Sequence, residues 1–166
     1  NEIAPITMAA AIGGIANNGM FCTPIAIDKV IKRSTKTEMT IPTSKCSQAV
    51  TPEVSAGMLY AMKRVVSGGT GGASSTGDGV MLAGKTGTTD SGVHTWMTGA
   101  STAVATATWV GNVSGNTSLS RISLNGKAGN TVRHDIWRSI MQVANKQYPT
   151  SAFPNPPQSM IDATMI

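Results

Sequence analysis

GVMLAGKTGTT, residues 79–89, fits two incompatible patterns, and the choice between them decides the fold. From Gly79 to Thr86 it matches G-x-x-x-x-G-K-T, the loop whose backbone amides and lysine cradle nucleotide phosphates. That loop requires a hydrophobic strand before its first glycine, small flexible residues between the glycines, and a helix beginning at G-K-T. Here a Gly/Ser-rich stretch precedes Gly79, the strand formers Val80, Met81 and Leu82 lie between the glycines, and Thr86, Gly87, Thr88, Thr89, Asp90, Ser91 and Gly92 follow Lys85. β-Branched residues and glycines oppose a helix there, by up to about 1 kcal/mol per Gly. No apolar strand ending in Asp is present to hold magnesium. The segment is a strand that carries K-T-G-T, and the nucleotide match is chance.

Working outward, VMLAGKTGTT, HTWMTGAS and AVATATWVGNV form three short β-branched or aromatic runs separated by turn residues, which predicts an antiparallel meander. Upstream, SGGTGGASSTGDG (67–79) is too rich in Gly and Ser for regular structure and reads as a flexible loop. Before it, Thr51-Pro52-Glu53 supplies an N-cap, a proline at the first helical position and an early acid, and Val54, Met58, Leu59, Met62, Val65 and Val66 recur on one face of a helix over 52–67. Pro5 and Gly19 bracket another helix, rich in Ala and Gly and so closely packed. Asn130 or Thr131 caps a last helix with Ile136, Trp137, Ile140, Met141, Val143 and Ala144 toward the core. The fold class is α+β, an antiparallel sheet flanked by helices. Residues 1–150 form its body and 151–166 a Pro-rich tail, extended or disordered.

Cys22 and Cys46 flank PIAIDKVIKRSTKTEMTIPTSK, whose apolar/polar alternation about a turn near 34–37 predicts a two-stranded hairpin. A turn there sets the cysteines nearly opposite each other, so a disulfide stands against two separate buried thiols; a disulfide implies an oxidising, extracytoplasmic compartment. Two cysteines without a neighbouring His do not make a zinc site, and no metal or cofactor is expected. Charged residues are 13% with a formal net charge of +5, so the chain has little charge to solvate its surface and calls for a partner surface in anionic surroundings. The basic residues are scattered and only two Phe and two Tyr are present to stack on bases, which argues against nucleic acid. The opening residues hold neither an initiator Met nor a leader pattern, and no run of about 18 apolar residues occurs.

In a strand, Lys85 and Gly87 share one face and Thr86 and Thr88 the other. Gly87 leaves the backbone uncovered, so that a carboxylate-bearing peptide could lie alongside, near two hydroxyls and an ammonium. The same residues also suit a solvated, Thr-rich edge.

The ordered segments IAPITMAAAIGGIANNGMFCTPIAIDKV, TPEVSAGMLYAMKRVVSGGTGGAS, AGKTGTTDSGVHTWMTGAS and TATWVGN resemble the C-terminal half of the transpeptidase domain of class A high-molecular-mass penicillin-binding proteins. The paired cysteines resemble actinobacterial members. The resemblance implies a penicillin-binding/serine β-lactamase-like fold and a peptidoglycan D,D-transpeptidase: a serine acylated by the penultimate D-Ala of a stem peptide, then relieved by an amine of a neighbouring stem, and open to β-lactams. It implies that Lys85 takes part in proton transfer beside an S-x-N serine, that Thr86 and Thr88 bind the substrate carboxylate, that Gly87 admits the ligand, and that the Thr88 N–H is an oxyanion-hole donor. This asks Lys85 and both threonines to reach one cleft, against the strand alternation.

The chain departs from the family pattern in one decisive respect: it contains no S-x-x-K. Ser114-Gly115-Asn116 and Ser123-Leu124-Asn125 match S-x-N but follow K-T-G-T, the reverse of the family order, and read as turns. The implied nucleophile therefore lies upstream of Asn1, the chain is inert alone, and its first partner is the N-terminal half of the domain, with a membrane anchor further upstream at the outer face of the cell membrane. Trp96 matches a family aromatic; His94 and His134 read as surface or packing residues. A D,D-carboxypeptidase, a β-lactamase, or a non-catalytic penicillin or cell-wall sensor are the alternatives.

Overall fold

The computed structural model describes residues 2–162. Pro5 opens α1 (Pro5–Ala16), where its missing N–H leaves nothing unpaired. Asn18 and Gly19, with φ of 53° and 80°, then turn the chain into β1 (Met20–Cys22). Its antiparallel partner is β2 (Cys46–Gln48), with Cys22 opposite Cys46 and the two sulfurs bonded. The hairpin expected across 24–45 is realised only in part. Ile31 bridges Glu38 across a turn in which the Lys32 N–H donates to the Thr37 carbonyl, but the arms below it form no named strand. Ile25, Ile27, Ile31 and Met39 stay exposed, so among the described residues the alternating pattern finds no surface against which to bury its apolar face, and a lone two-stranded ribbon is marginal.

Thr51 caps α2 (Pro52–Gly68), its hydroxyl accepting the Val54 N–H at 3.4 Å. The buried stripe is Ser55, Ala56, Leu59, Met62 and Val66, whereas Val54 and Met58, expected on the apolar face, are exposed. Ser55 takes the inward place because its hydroxyl donates to the Ile15 carbonyl of α1, which satisfies the buried polar group. The meander forms as β3 (Ala83–Thr88), β4 (His94–Ala100) and β5 (Ala105–Gly111), antiparallel in the order β3-β4-β5. Val80 to Leu82 precede the strand as coil, and no helix starts at Gly84-Lys85-Thr86, which removes the nucleotide-loop geometry.

One core gathers Ile12, Leu59, Met62, Ala83, Ala100 and Phe153, the other Val66, Leu82, Met97, Trp137 and Met141. The second lies under α3 (Val132–Gln147), where Gly84 faces Gly99 across the ladder and a Cβ on Gly99 would stand 2.9 Å from Trp137 Cζ2. The buried stripe of α3 is His134, Trp137, Met141 and Ala144; Ile136, Ile140 and Val143, expected inside, face solvent.

The glycine-rich stretch is not loose. Gly72–Ser74 form a 3₁₀ turn, and α3 holds the segment at four points along its length: His134 Nδ1 to Ser74 Oγ at 2.7 Å, Arg138 to the Ala73 carbonyl at 2.7 Å, Gln142 to the Thr76 carbonyl at 2.9 Å and Asn145 to Asp78 Oδ2 at 2.9 Å. Beyond α3, residues 149–157 form no helix or strand, but they are not loose: Phe153 is buried in the first core and the Ser151 N–H donates to Thr102 Oγ1 at 2.8 Å. A short hairpin, β6 (Ser123–Leu124) and β7 (Lys127–Ala128), turns on Asn125 and Gly126, and α4 (Gln158–Ile161) closes the described chain. Among the described residues no helix is long and apolar enough to cross a membrane.

Candidate active site

β3 has β4 on one side only. The Thr89 N–H donates to the His94 carbonyl, and the register sets Thr88 against Thr95, Gly87 against Trp96 and Lys85 against Thr98. Hydrogen-bonded and non-bonded pairs alternate in an antiparallel ladder. Gly87 and Lys85 therefore exchange bonds with β4, while the amides and carbonyls of Thr86 and Thr88 point to the open edge.

Side-chain alternation holds as the sequence predicts. Lys85 leaves the strand on the face of Ala83, which packs with Ile12 of α1. Its ammonium nevertheless bends round the edge and donates to the Thr86 carbonyl at 2.8 Å. The Lys85 ammonium and the Thr88 N–H thus both lie at the open edge, while the Thr86 and Thr88 hydroxyls leave on the face opposite the Lys85 stem, as alternation requires. A Cβ added to Gly87 would meet nothing closer than Trp96 Cβ at 3.5 Å, so internal packing does not demand glycine there.

On the opposite face Thr86 Oγ1 lies 2.8 Å from Thr70 Oγ1, which ties the glycine-rich segment to the strand. Thr88 Oγ1 accepts from Arg133 NH1 at 3.2 Å. The same NH1 donates to Thr95 Oγ1, whose hydroxyl donates to the Gly87 carbonyl at 3.2 Å. Arg133 Nε donates to His134 Nε2 at 3.2 Å, so Nε2 carries no proton; the ring is the neutral Nδ1–H form, donating to Ser74. Burial first, then the Arg133 charge, hold the His134 imidazole below its usual range. Burial alone lowers the Arg133 guanidinium.

The remaining residues singled out by sequence lie elsewhere. His94 stacks on Trp109 with centroids 5.6 Å apart and is a packing residue. With Ile3, Pro5, Trp96 and Thr89 these rings line an open groove of about 500 Å³ on the α1 face. Ser114 sits in an exposed turn, whereas Ser123, expected in a turn, is paired with Ala128 as the first residue of the exposed strand β6, and the two cysteines are bonded to each other. Sequence reasoning missed Arg133, Thr95 and Thr70. A signal for Arg133 existed: a cation in the first turn of a helix opposes the macrodipole, so something else must hold it.

The model of the penicillin binding protein transpeptidase domain matches residues 1–142. The chain belongs to the penicillin-binding protein transpeptidase family. Among its relatives is a penicillin-binding protein 1A of Aquifex aeolicus, 30% identical over 96% of this chain and 21% of that protein, and one of Clostridium acetobutylicum, 33% identical over 84% and 16%. The chain thus spans about a fifth of the length of the curated relatives it matches. Among solved structures, the penicillin-binding protein PonA1 of Mycobacterium tuberculosis, also solved in complex with penicillin V, superposes with a TM-score of 0.78 at 28% identity, covering 91% of this chain and 41% of that one. The penicillin-binding protein 1A of Haemophilus influenzae shares the fold at 21% identity and a TM-score of 0.76, over 93% of this chain and 28% of that one. The mixed helical and antiparallel architecture is therefore that of a penicillin-binding transpeptidase domain, of which this chain is a part.

Proposed function

We propose that this chain supplies the K-T-G-T strand of a peptidoglycan D,D-transpeptidase whose serine and S-x-N segment lie in the N-terminal half of the domain. The observation that carries the reading is the open edge of β3, where the Lys85 ammonium and the edge-pointing amide of Thr88 stand together, with the Thr86 and Thr88 hydroxyls one step away. In this scheme Lys85 provides positive potential and a proton path to the S-x-N serine. The Thr88 N–H donates to the oxyanion formed as the upstream serine attacks the penultimate D-Ala carbonyl, a contact worth about 3 to 4 kcal/mol. Thr86 and Thr88 hold the terminal carboxylate, and Gly87 lets the peptide backbone close on the strand. Terminal D-Ala leaves, and the amine of a second stem takes the acyl group.

β-Lactams enter the same cleft, in line with the penicillin V complex of PonA1. The disulfide fits an oxidising compartment at the outer face of the membrane, where the substrate lies.

The test uses the full-length protein, incubated with benzylpenicillin and read by intact mass and peptide mapping. The expected result is one penicilloyl group on a serine of an upstream S-x-x-K, with the rate in Lys85→Ala lower by about 10²- to 10⁴-fold and its thermal midpoint near that of the wild type. An adduct on residues 1–166, or normal acylation in Lys85→Ala, overturns the assignment. Acyl release to an amine acceptor rather than to water separates the transpeptidase from a carboxypeptidase or β-lactamase, and a protein that acylates without turning over stem peptide is a sensor.

A further inference from the structure

Arg133 lies at the K-T-G-T strand with no counter-anion among the described residues. The described ion pairs join Lys29 to Glu38 and both Lys127 and Arg138 to Asp135; none involves Arg133. Its guanidinium is half-buried, and its named partners are neutral: the hydroxyls of Thr88 and Thr95 and the ring of His134. NH2 has no hydrogen-bond partner among them. Taking a cation partly out of water without a compensating anion is costly, and the cost falls when an anion arrives.

The geometry of the hydroxyls adds direction. Because Thr88 Oγ1 already accepts from Arg133 NH1, its own proton must point elsewhere, and the side chain becomes a donor. Thr95 is turned the other way, its proton committed to the Gly87 carbonyl. One guanidinium thus sets the donor sense of the outermost rung of the β3–β4 ladder.

We propose that Arg133 is the positioning and specificity-determining residue for the substrate carboxylate: it fixes Thr88 as a hydrogen-bond donor toward that group and supplies the positive charge that makes the site select an anionic terminus. This rests on the assignment of Thr86 and Thr88 to carboxylate binding.

The experiment compares acylation of the full-length protein by benzylpenicillin and by its carboxyl methyl ester, in wild type, Arg133→Gln, Arg133→Ala and Arg133→Lys. Arg133→Gln keeps donors for the threonines and removes the charge. The acid rate should fall about 10- to 100-fold in Arg133→Gln and Arg133→Ala, the scale of losing a hydrogen bond to a charged group, while the ester rate changes less than threefold; Arg133→Lys should recover much of the acid rate. Increasing salt should slow the wild type with the acid more than Arg133→Gln, a readout that stands even if the ester proves too slow to follow. Equal losses for acid and ester with unchanged salt dependence would make Arg133 a structural residue only, and no loss would remove it from the site. A wild type that takes up no penicillin overturns the parent reading, an outcome distinct from both.

Discussion

Two glycines of the site strands have opposite reasons for being glycine, and substitution separates them. Gly99 is required by packing, since a Cβ would stand 2.5 Å from the Ala83 carbonyl and 2.9 Å from Trp137. Gly99→Ala should therefore destabilise the protein by about 1 to 3 kcal/mol, read as a lowered denaturation midpoint. Gly87 has only ordinary contacts to expect. Gly87→Ala should leave the midpoint within about 0.5 kcal/mol of wild type while cutting penicillin acylation in the full-length protein, because the methyl group would stand where a ligand must approach. A large stability loss in Gly87→Ala would mean that the glycine serves the fold. K-T-G-T itself was legible from the sequence because four consecutive residues suffice to show it; Arg133 was legible only as a cation at the unfavourable end of a helix, since nothing in its spacing relates it to Thr88, 45 residues earlier.

At the scale of elements, the grip of α3 on the glycine-rich segment is the least expected feature and the most testable. Composition reads 67–79 as free, because Gly and Ser bury little apolar surface; what holds it is polar, four side chains of α3 that bond two backbone carbonyls and the side chains of Ser74 and Asp78. His134 makes this grip sensitive to pH. Its folded pKa is depressed, so the folded state binds fewer protons than the unfolded one, and stability rises with pH across the window below the unfolded value. That contribution is complete above about pH 6.5 and is lost as pH falls toward the folded value. The thermal midpoint should drop between pH 7 and pH 5, and His134→Gln should flatten that slope; an unchanged slope would show that His134 is not the titrating group. Helices and strands were legible because caps and periodicity are local. Which faces they bury was less so: Ser55 and His134 displaced Val54, Met58 and Ile136 from the inward stripes by finding hydrogen-bond partners on other elements.

For the molecule as a whole, the sheet with α1, α2, α3 and Phe153 forms the packed body, and the segment between the cysteines stands off it with most of its residues exposed. Closing a loop of about 25 residues contributes roughly 3.5 kcal/mol on the chain-entropy estimate, so reduction should lower the denaturation midpoint without altering penicillin acylation in the full-length protein. The alternation that predicted a long hairpin could not reveal that none of the described residues forms a surface to receive it. The cysteine bond also has a consequence for how the chain fails. A protease that cuts once anywhere between Thr23 and Lys45 opens a ring rather than severing a string: the protein gains the mass of one water, keeps both pieces, and separates into two only when a reductant is added.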